Sequence, residues 1–336
     1  MNGSPPISFE GVCKVFGEKP ERALVACDEG KSREDILEQW GNTVALHNIN
    51  LDVLESEIFV IMGLSGSGKS TAIRHINRLV EPTRGAIKVF GEDILGYDKQ
   101  SLQEFRRTKA AMVFQNFGLL PHRTVLENIV FGLKVKNIPK EKRLNEGMSW
   151  IEKIGLVGYE HSLPKDLSGG MQQRVGLGRA LASNTPILLM DEAFSALDPL
   201  IRTQMQDQLL ELQRDLKKTI VFITHDLKEA LRIGNRIAIL QDGRLVQTGT
   251  PKEIITQPAN QYIKDFTKGI DVSMVLSAKD VMEEGVAAEG GAQTIAGDYP
   301  VHDVVKVFLE TDQETVNVVS GDTVIGCIRK KNLSWF

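Results

Sequence analysis

No stretch of this chain is long and apolar enough to cross a bilayer. The longest apolar runs, such as Ile58 to Leu64, fall far short of the ~20 residues that a spanning helix needs. If the protein serves a membrane process, other subunits must supply the spans. A targeting segment is also lacking, because Met1-Asn-Gly-Ser-Pro-Pro has neither a basic start nor an apolar core. Cysteine is scarce. Cys13, Cys27 and Cys327 are scattered, odd in number and without metal-type spacing, which fits reduced thiols in a cytosolic protein better than a disulfide framework. There is no excess of basic charge either: a formal net charge of −4 argues against nucleic acid as a partner. The chain shows no internal repeat and no low-complexity tract. With 42% hydrophobic and 25% charged residues it reads as an ordinary soluble globular protein, and 336 residues suggest one large domain with a smaller one, or two domains.

Residues from about Ile7 to Phe16 alternate like a strand, and Ala45 to Val53 reads as a second. Between them lies a charged insert, residues 18–43, in which Ser32-Arg-Glu-Asp-Ile-Leu-Glu has the form of a short capped helix. Ile58-Phe-Val-Ile-Met is a buried strand, and Thr71 to Leu79 a helix. Residues 99–154 are mostly helical in pattern, broken at Pro121 and Pro139. Strand–helix alternation resumes at Ile187, with strands at Thr219 to Thr224 and Arg236 to Leu240. This alternation argues for an α/β core with a largely parallel sheet. From about Ser273 the chain looks separate, with a loop-like Gly285 to Gly297 stretch and a hairpin at Val316 to Gly326 turning at Gly-Asp.

Gly63-Leu64-Ser65-Gly66-Ser67-Gly68-Lys69-Ser70 completes the pattern G-x-x-x-x-G-K-[ST] between that buried strand and that helix. The glycines let successive N–H groups point at phosphate oxygens at a helix N-terminus. Lys69 would reach the β- and γ-phosphates of ATP, and the Ser70 hydroxyl would ligate Mg²⁺. Downstream, Ile187-Leu-Leu-Met ends in Asp191 and Glu192. A carboxylate at that strand end can hold Mg²⁺, directly or through water. Between the two motifs stands Leu167-Ser168-Gly169-Gly170-Met171-Gln172-Gln173, and a Ser-Gly-Gly helix start is an anion site in its own right.

With LSGGMQQ between the phosphate loop and the acidic strand, the chain resembles the ATP-binding subunit of an ABC transporter. The resemblance implies an α/β P-loop ATPase domain over 1–268, with a helical subdomain at about 99–180. It implies that Glu192 is the general base, that His225 in Ile223-Thr-His-Asp is the switch histidine on the γ-phosphate, and that Asp198 belongs to the D-loop. Gln115 in Val113-Phe-Gln-Asn resembles the Q-loop glutamine, which senses Mg²⁺ and the attacking water. The signature Ser168, Gly169, Gly170 and Gln172 would meet the nucleotide of an opposite subunit, so two copies are needed for two complete sites. Thr71 completes the nucleotide set. An aromatic residue after the first strand should stack on adenine. Phe16 matches that position, Trp40 is its rival, and either could be plain packing.

Lys31-Ser-Arg-Glu-Asp-Ile-Leu-Glu-Gln-Trp-Gly-Asn-Thr, Asn77-Arg-Leu-Val-Glu-Pro-Thr-Arg-Gly and Met112-Val-Phe-Gln-Asn-Phe-Gly-Leu-Leu-Pro-His are similar to the glycine betaine/proline importer ATPase family. This implies ATP-driven uptake of a quaternary ammonium osmolyte, with choline or trimethylamine N-oxide as alternative cargo. It implies transmembrane permease subunits and a periplasmic or lipid-anchored binding protein as partners, at the cytoplasmic face of the inner membrane. A soluble ABC ATPase outside transport would carry two cassettes or a long coiled coil, and neither is visible. Residues 273–336 resemble one CBS motif, a small α+β domain, where family members often carry two. From Val272 onward there are five Lys/Arg against ten Asp/Glu, so only Arg329-Lys330-Lys331 offers a basic patch, a poor basis for sensing an anionic membrane.

Overall fold

The computed structural model describes residues 4–195, 197–287, 292–311 and 313–333. The chain divides into two compact units, Met1–Thr248 and Gly249–Phe336, a division ahead of the 268–273 junction read from the sequence.

In the first unit, β1 (Ile7–Phe16) lies between β2 (Thr43–Val53) and β4 (Arg84–Val89), and β5 (Glu92–Asp93) completes an antiparallel sheet of order β2-β1-β4-β5. The second sheet runs β10-β9-β3-β8-β7-β6. Its strands are β3 (Ile58–Met62), β6 (Ala110–Val113), β7 (Ile187–Asp191), β8 (Thr219–Thr224), β9 (Arg236–Gln241) and β10 (Arg244–Gly249). From β9 to β6 all pairings are parallel. Every residue of β3, β7 and β8 is buried, which explains their unbroken apolar sequences: a parallel strand covered on both faces has no solvent side to alternate with. Phe59, Ile61, Leu189, Val221 and Ile223 of this sheet share one core with Phe9, Leu46 and Ile87 of the other.

Two helices occupy the insert where one is expected. The capped α2 (Arg33–Trp40) is preceded by α1 (Pro20–Asp28), which starts with Pro at its first position and buries Ala23, Leu24, Ala26 and Cys27. The phosphate-loop helix is α3 (Lys69–Ile76). After α4 (Lys99–Thr108), the helical stretch is interrupted by β6, four residues that pair with β7. So short a strand has no periodicity of its own and forms because β7 offers it a partner. The helical subdomain follows as α5 (Val125–Ile129), α6 (Phe131–Val135), α7 (Lys140–Lys153) and α8 (Gly169–Ala182), and then α9 (Pro199–Leu216) and α10 (Leu227–Ile233) return to the sheet. Pro121 falls in a turn and Pro139 stands immediately before α7, as helix breakers should.

The second unit opens with α11 (Pro251–Thr256), α12 (Gln261–Thr267) and α13 (Ala278–Val281). Its sheet, order β11-β14-β13-β12, joins β11 (Glu283–Glu284), β12 (Thr294–Ala296), β13 (Thr315–Ser320) and β14 (Thr323–Arg329). The hairpin turns at Gly321-Asp322, closed by Ser320 against Thr323. Part of the segment that reads as loop forms β12, parallel to β13; residues 288–291 of it lie outside the described residues. Packed against this sheet is α14 (Val301–Glu310), through Val301, Val304 and Phe308, a helical i, i+3, i+7 stripe.

His75, in the last turn of α3, is completely buried. Its Nδ1 lies 2.7 Å from the Val80 carbonyl, so Nδ1 carries the proton and donates, while Nε2 has no partner. Burial pushes its pKa down to about 4. The unfolded imidazole, at ~6.5, therefore binds a proton that the folded one refuses. The stabilisation is complete above ~6.5 and is lost as pH falls towards 4, by ~3 kcal/mol. Urea unfolding at pH 7 and pH 4.5 should show most of that loss, and His75→Asn should reduce the difference. Parallel pH dependence in wild type and variant would exclude His75 as its source.

Candidate nucleotide-binding site

The register of the parallel sheet collects the motifs at one end. Met62 pairs with Thr224, Asp191 with Ile223, and Val113 with Met190. Gly63, Glu192, His225 and Gln115 therefore leave the sheet at the carboxyl ends of neighbouring strands, where ligands bind in open α/β sheets. A cavity of about 620 Å³ opens there, lined by Phe16, Arg33, Thr43, Ala45, Leu64, Ser65, Gly66, Gly68, Lys69, Ser70, Thr71, Glu192 and His225.

Two glycines of the loop are dictated by contact. A Cβ on Gly63 (φ 148°) would stand 2.1 Å from the Leu240 carbonyl oxygen, and one on Gly68 (φ 100°) 2.4 Å from that of Ala45; no side chain fits either place. Lys69 follows as the first residue of α3 and is 5% exposed. Its ammonium donates to the carbonyls of Gly63 at 2.9 Å and Leu64 at 3.1 Å, with Glu192 Oε1 at 3.9 Å. Burial lowers its pKa, and the carboxylates of Glu192 and Asp191 oppose that shift. The lysine thus holds its own loop closed with bonds that a phosphate can replace.

The two acids have different surroundings. Asp191, 2% exposed, accepts from Ser70 Oγ at 2.8 Å through Oδ1 and from Arg74 Nη2 at 3.0 Å through Oδ2. Ser70 and Arg74 stand four apart on α3, one face of a helix. Glu192 is held by a tight turn, its carbonyl accepting from Ser195 N–H at 3.2 Å and Ser195 Oγ at 2.9 Å. Its φ of 47° is left-handed, a costly conformation for a residue with a Cβ and one that concentrates at functional sites. Gln115 Nε2 donates to Glu192 Oε2 at 3.2 Å, and His225 Nδ1 lies 3.6 Å from the same oxygen. Lys69, Gln115 and His225 thus converge on one carboxylate.

Other motif residues stand elsewhere. Ser168 caps α8, its Oγ accepting from Met171 N–H at 3.3 Å, and Gln172 Nε2 donates back to Leu167 O at 3.2 Å. Asp198 caps α9 through Leu200 and Ile201 N–H at 3.2 and 3.1 Å. Neither these nor Gly169 and Gly170 line the cavity, and Ser168, Gly169 and Asp198 face solvent. Of the two aromatic candidates Phe16 lines the cavity; Trp40 is packed between Arg22 and Lys31, each 4.7 Å from its ring. Ala196 of the D-loop sequence lies outside the described residues. Arg33, Thr43 and Ala45 are cavity residues that no motif indicates. Arg74 carried a signal, its spacing from Ser70.

The profile of the ABC transporter family matches residues 46–195. The chain is 49% identical over 323 residues to the glycine betaine/proline betaine transport system ATP-binding protein ProV of Escherichia coli, covering 96% of this chain and 80% of that one. It is 53% identical over 276 residues to the glycine betaine/carnitine transport ATP-binding protein GbuA of Listeria monocytogenes, covering 82% and 70%. It is 44% identical over 329 residues to the trimethylamine N-oxide transport system ATP-binding protein TmoW of Ruegeria pomeroyi, covering 98% and 96%. Among solved structures, the dimeric ATP-binding cassette MJ0796 in a post-hydrolysis state bound to ADP and Pi superposes with a TM-score of 0.62 at 33% identity, over 73% of this chain and 98% of that one. A phosphate loop, an acidic strand end and a histidine gathered at one sheet edge, together with near 50% identity along most of its length, make this chain a member of the ABC transporter ATP-binding protein family, and an ATPase.

Proposed function

We propose that the chain is the energy-coupling subunit of an importer for glycine betaine, proline betaine or a related quaternary ammonium osmolyte. It would work at the cytoplasmic face of the inner membrane with transmembrane permease subunits and a periplasmic or lipid-anchored binding protein. The single observation that carries the catalytic part is the convergence of Lys69, Gln115 and His225 on Glu192. In this reading Phe16 stacks on adenine, and the loop N–H groups and Lys69 hold the phosphates. Glu192 takes the proton of the attacking water, Gln115 senses that water, and His225 contacts the γ-phosphate. Ser70 Oγ and Asp191 Oδ1 lie together at the strand end, joined by a hydrogen bond of 2.8 Å, and are the oxygen donors that would hold Mg²⁺, directly or through water. Hard oxygen donors of this kind fit Mg²⁺, which when bound would offset phosphate charge.

Ser168, Gly169, Gly170, Gln172 and Asp198 act, in the same reading, on the nucleotide of a second copy. The exposure of Ser168, Gly169 and Asp198, and the absence of all five from this chain's own cavity, support it. Glu192→Gln should lower turnover by roughly 10²–10⁴-fold and accumulate as an ATP-bound dimer on size-exclusion chromatography. Adding Ser168→Arg should return it to monomer. Near-normal turnover in the first, or a persisting dimer in the second, would refute the respective assignment.

The cargo follows from kinship, since the solute never meets this subunit. Identity favours betaine, as in ProV and GbuA. End-to-end length favours the second reading, trimethylamine N-oxide, because the chain spans 96% of TmoW against 80% of ProV. Uptake of labelled betaine, choline and trimethylamine N-oxide in cells with and without this chain decides between them. Loss of betaine uptake alone is expected, and unchanged uptake of all three would end the osmolyte reading.

We read residues 273–336 as a single CBS-like module that pairs with its counterpart across the dimer. Leu309, 76% exposed on α14, gives it an apolar contact to offer. Such a pair can bias the open-to-closed equilibrium without touching ATP. Truncation at 273 should preserve basal ATPase activity and abolish its response to salt or nucleotide. An unchanged response would reduce the segment to an appendage.

A further inference from the structure

Arg33 belongs to no nucleotide motif, yet it lines the same cavity as Lys69. The insert that carries it is a built arm packed on β1 and β2 through a small apolar cluster. Ser32 Oγ accepts from Asp35 N–H at 3.0 Å, Ile36 is fully buried in a cluster with Leu24 and Val15, and Arg22 and Lys31 each lie 4.7 Å from the Trp40 ring. None of these contacts involves the Arg33 guanidinium. That group leans over the phosphate loop instead, with Nη2 3.3 Å from the Gly66 carbonyl it donates to and Nη1 3.7 Å from Asp242 Oδ1. Both contacts are long, and the Asp242 side chain is 72% exposed, so the ion pair is of the weak surface kind. Lys69 is 5% exposed and Arg33 23%, which sets two cations at different depths of one cavity.

We propose that Arg33 is a further nucleotide-binding residue, supplied by the insert, whose guanidinium leaves Asp242 and pairs with the phosphate chain when nucleotide binds. A planar fork of N–H donors matches both carboxylate and phosphate oxygens, and the greater charge of the phosphate chain makes it the stronger partner. The proposal rests on the reading that this cavity holds ATP.

The test is equilibrium binding of fluorescent ATP and ADP analogues to the full chain over a range of salt. Arg33→Ala should weaken both roughly tenfold and flatten the salt dependence, and Arg33→Lys should recover part of the loss. Asp242 has a left-handed φ of 48° that Asn tolerates. Asp242→Asn, which removes the competing carboxylate, should therefore tighten binding roughly twofold, and the double variant should bind like Arg33→Ala. Wild-type affinity in Arg33→Ala, or a gain from Asp242→Asn that survives in the double variant, would overturn the proposal. Should Arg33→Ala not fold, Asp242→Asn decides alone: tighter binding upholds it and unchanged binding overturns it. If the wild type, with Lys69→Ala as control, showed no Lys69-dependent binding, the ATP reading would fall instead.

Discussion

The phosphate loop is wedged between backbone from two different sheets, and the functional end of the molecule depends on that closeness. Ala45 belongs to β2 of the antiparallel sheet and Leu240 to β9 of the parallel one, and their carbonyls come within 2.4 and 2.1 Å of where a Cβ on Gly68 and Gly63 would stand. The junction is stitched by His47 N–H to Gly243 O at 2.8 Å and Gly243 N–H to Ser67 O at 3.2 Å. The loop cannot relax in either direction. The loop is thereby held in one conformation by packing and hydrogen bonds from both sheets, so less ordering remains to be done on binding.

Charge follows from this placement. Lys69 is too deeply set to be solvated, and its partners are the carbonyls of the loop it stabilises. Arg74 takes one oxygen of Asp191 and Ser70 the other, so the carboxylate nearest the loop is already matched. Glu192 has only longer contacts, at 3.2, 3.6 and 3.9 Å. The two neighbouring acids thereby separate into one fixed by short bonds and one left available, an arrangement expected of an ion ligand beside a base.

The insert changes how the nucleotide cavity is walled. Through an apolar cluster in which Leu24 and Ile36 join Val15 and Val44, it packs on β1 and β2 and brings a guanidinium to the rim. The cavity thus receives a cation from outside the sheet edge at which the motif residues gather.

Much of the core was legible because its signals are local. The apolar strands ending in Gly63 and Asp191, the cap at Ser32 and the two-residue turn at Gly321 are each specified by residues within a few positions. Spacing alone also marked Lys69 and Ser70, since strand–loop–helix geometry follows from neighbouring residues, whereas the role of Glu192 came from the resemblance. Contacts between distant segments were another matter. The strand at Ala110–Val113 forms because β7 offers it an edge, and β12 because β13 does. Helix α1 is held by burial against Val15 and Val44 rather than by a strong pattern. Which aromatic faces the cavity, and that Arg33 does too, depend on where the insert folds against β1 and β2. The sequence by itself determined the buried strands before Gly63 and Asp191, the phosphate loop and the order of the motifs, because short-range sterics and hydrophobic periodicity specify them. Only the tertiary structure decided which of those groups meet, because burial and strand register act between residues far apart in the chain.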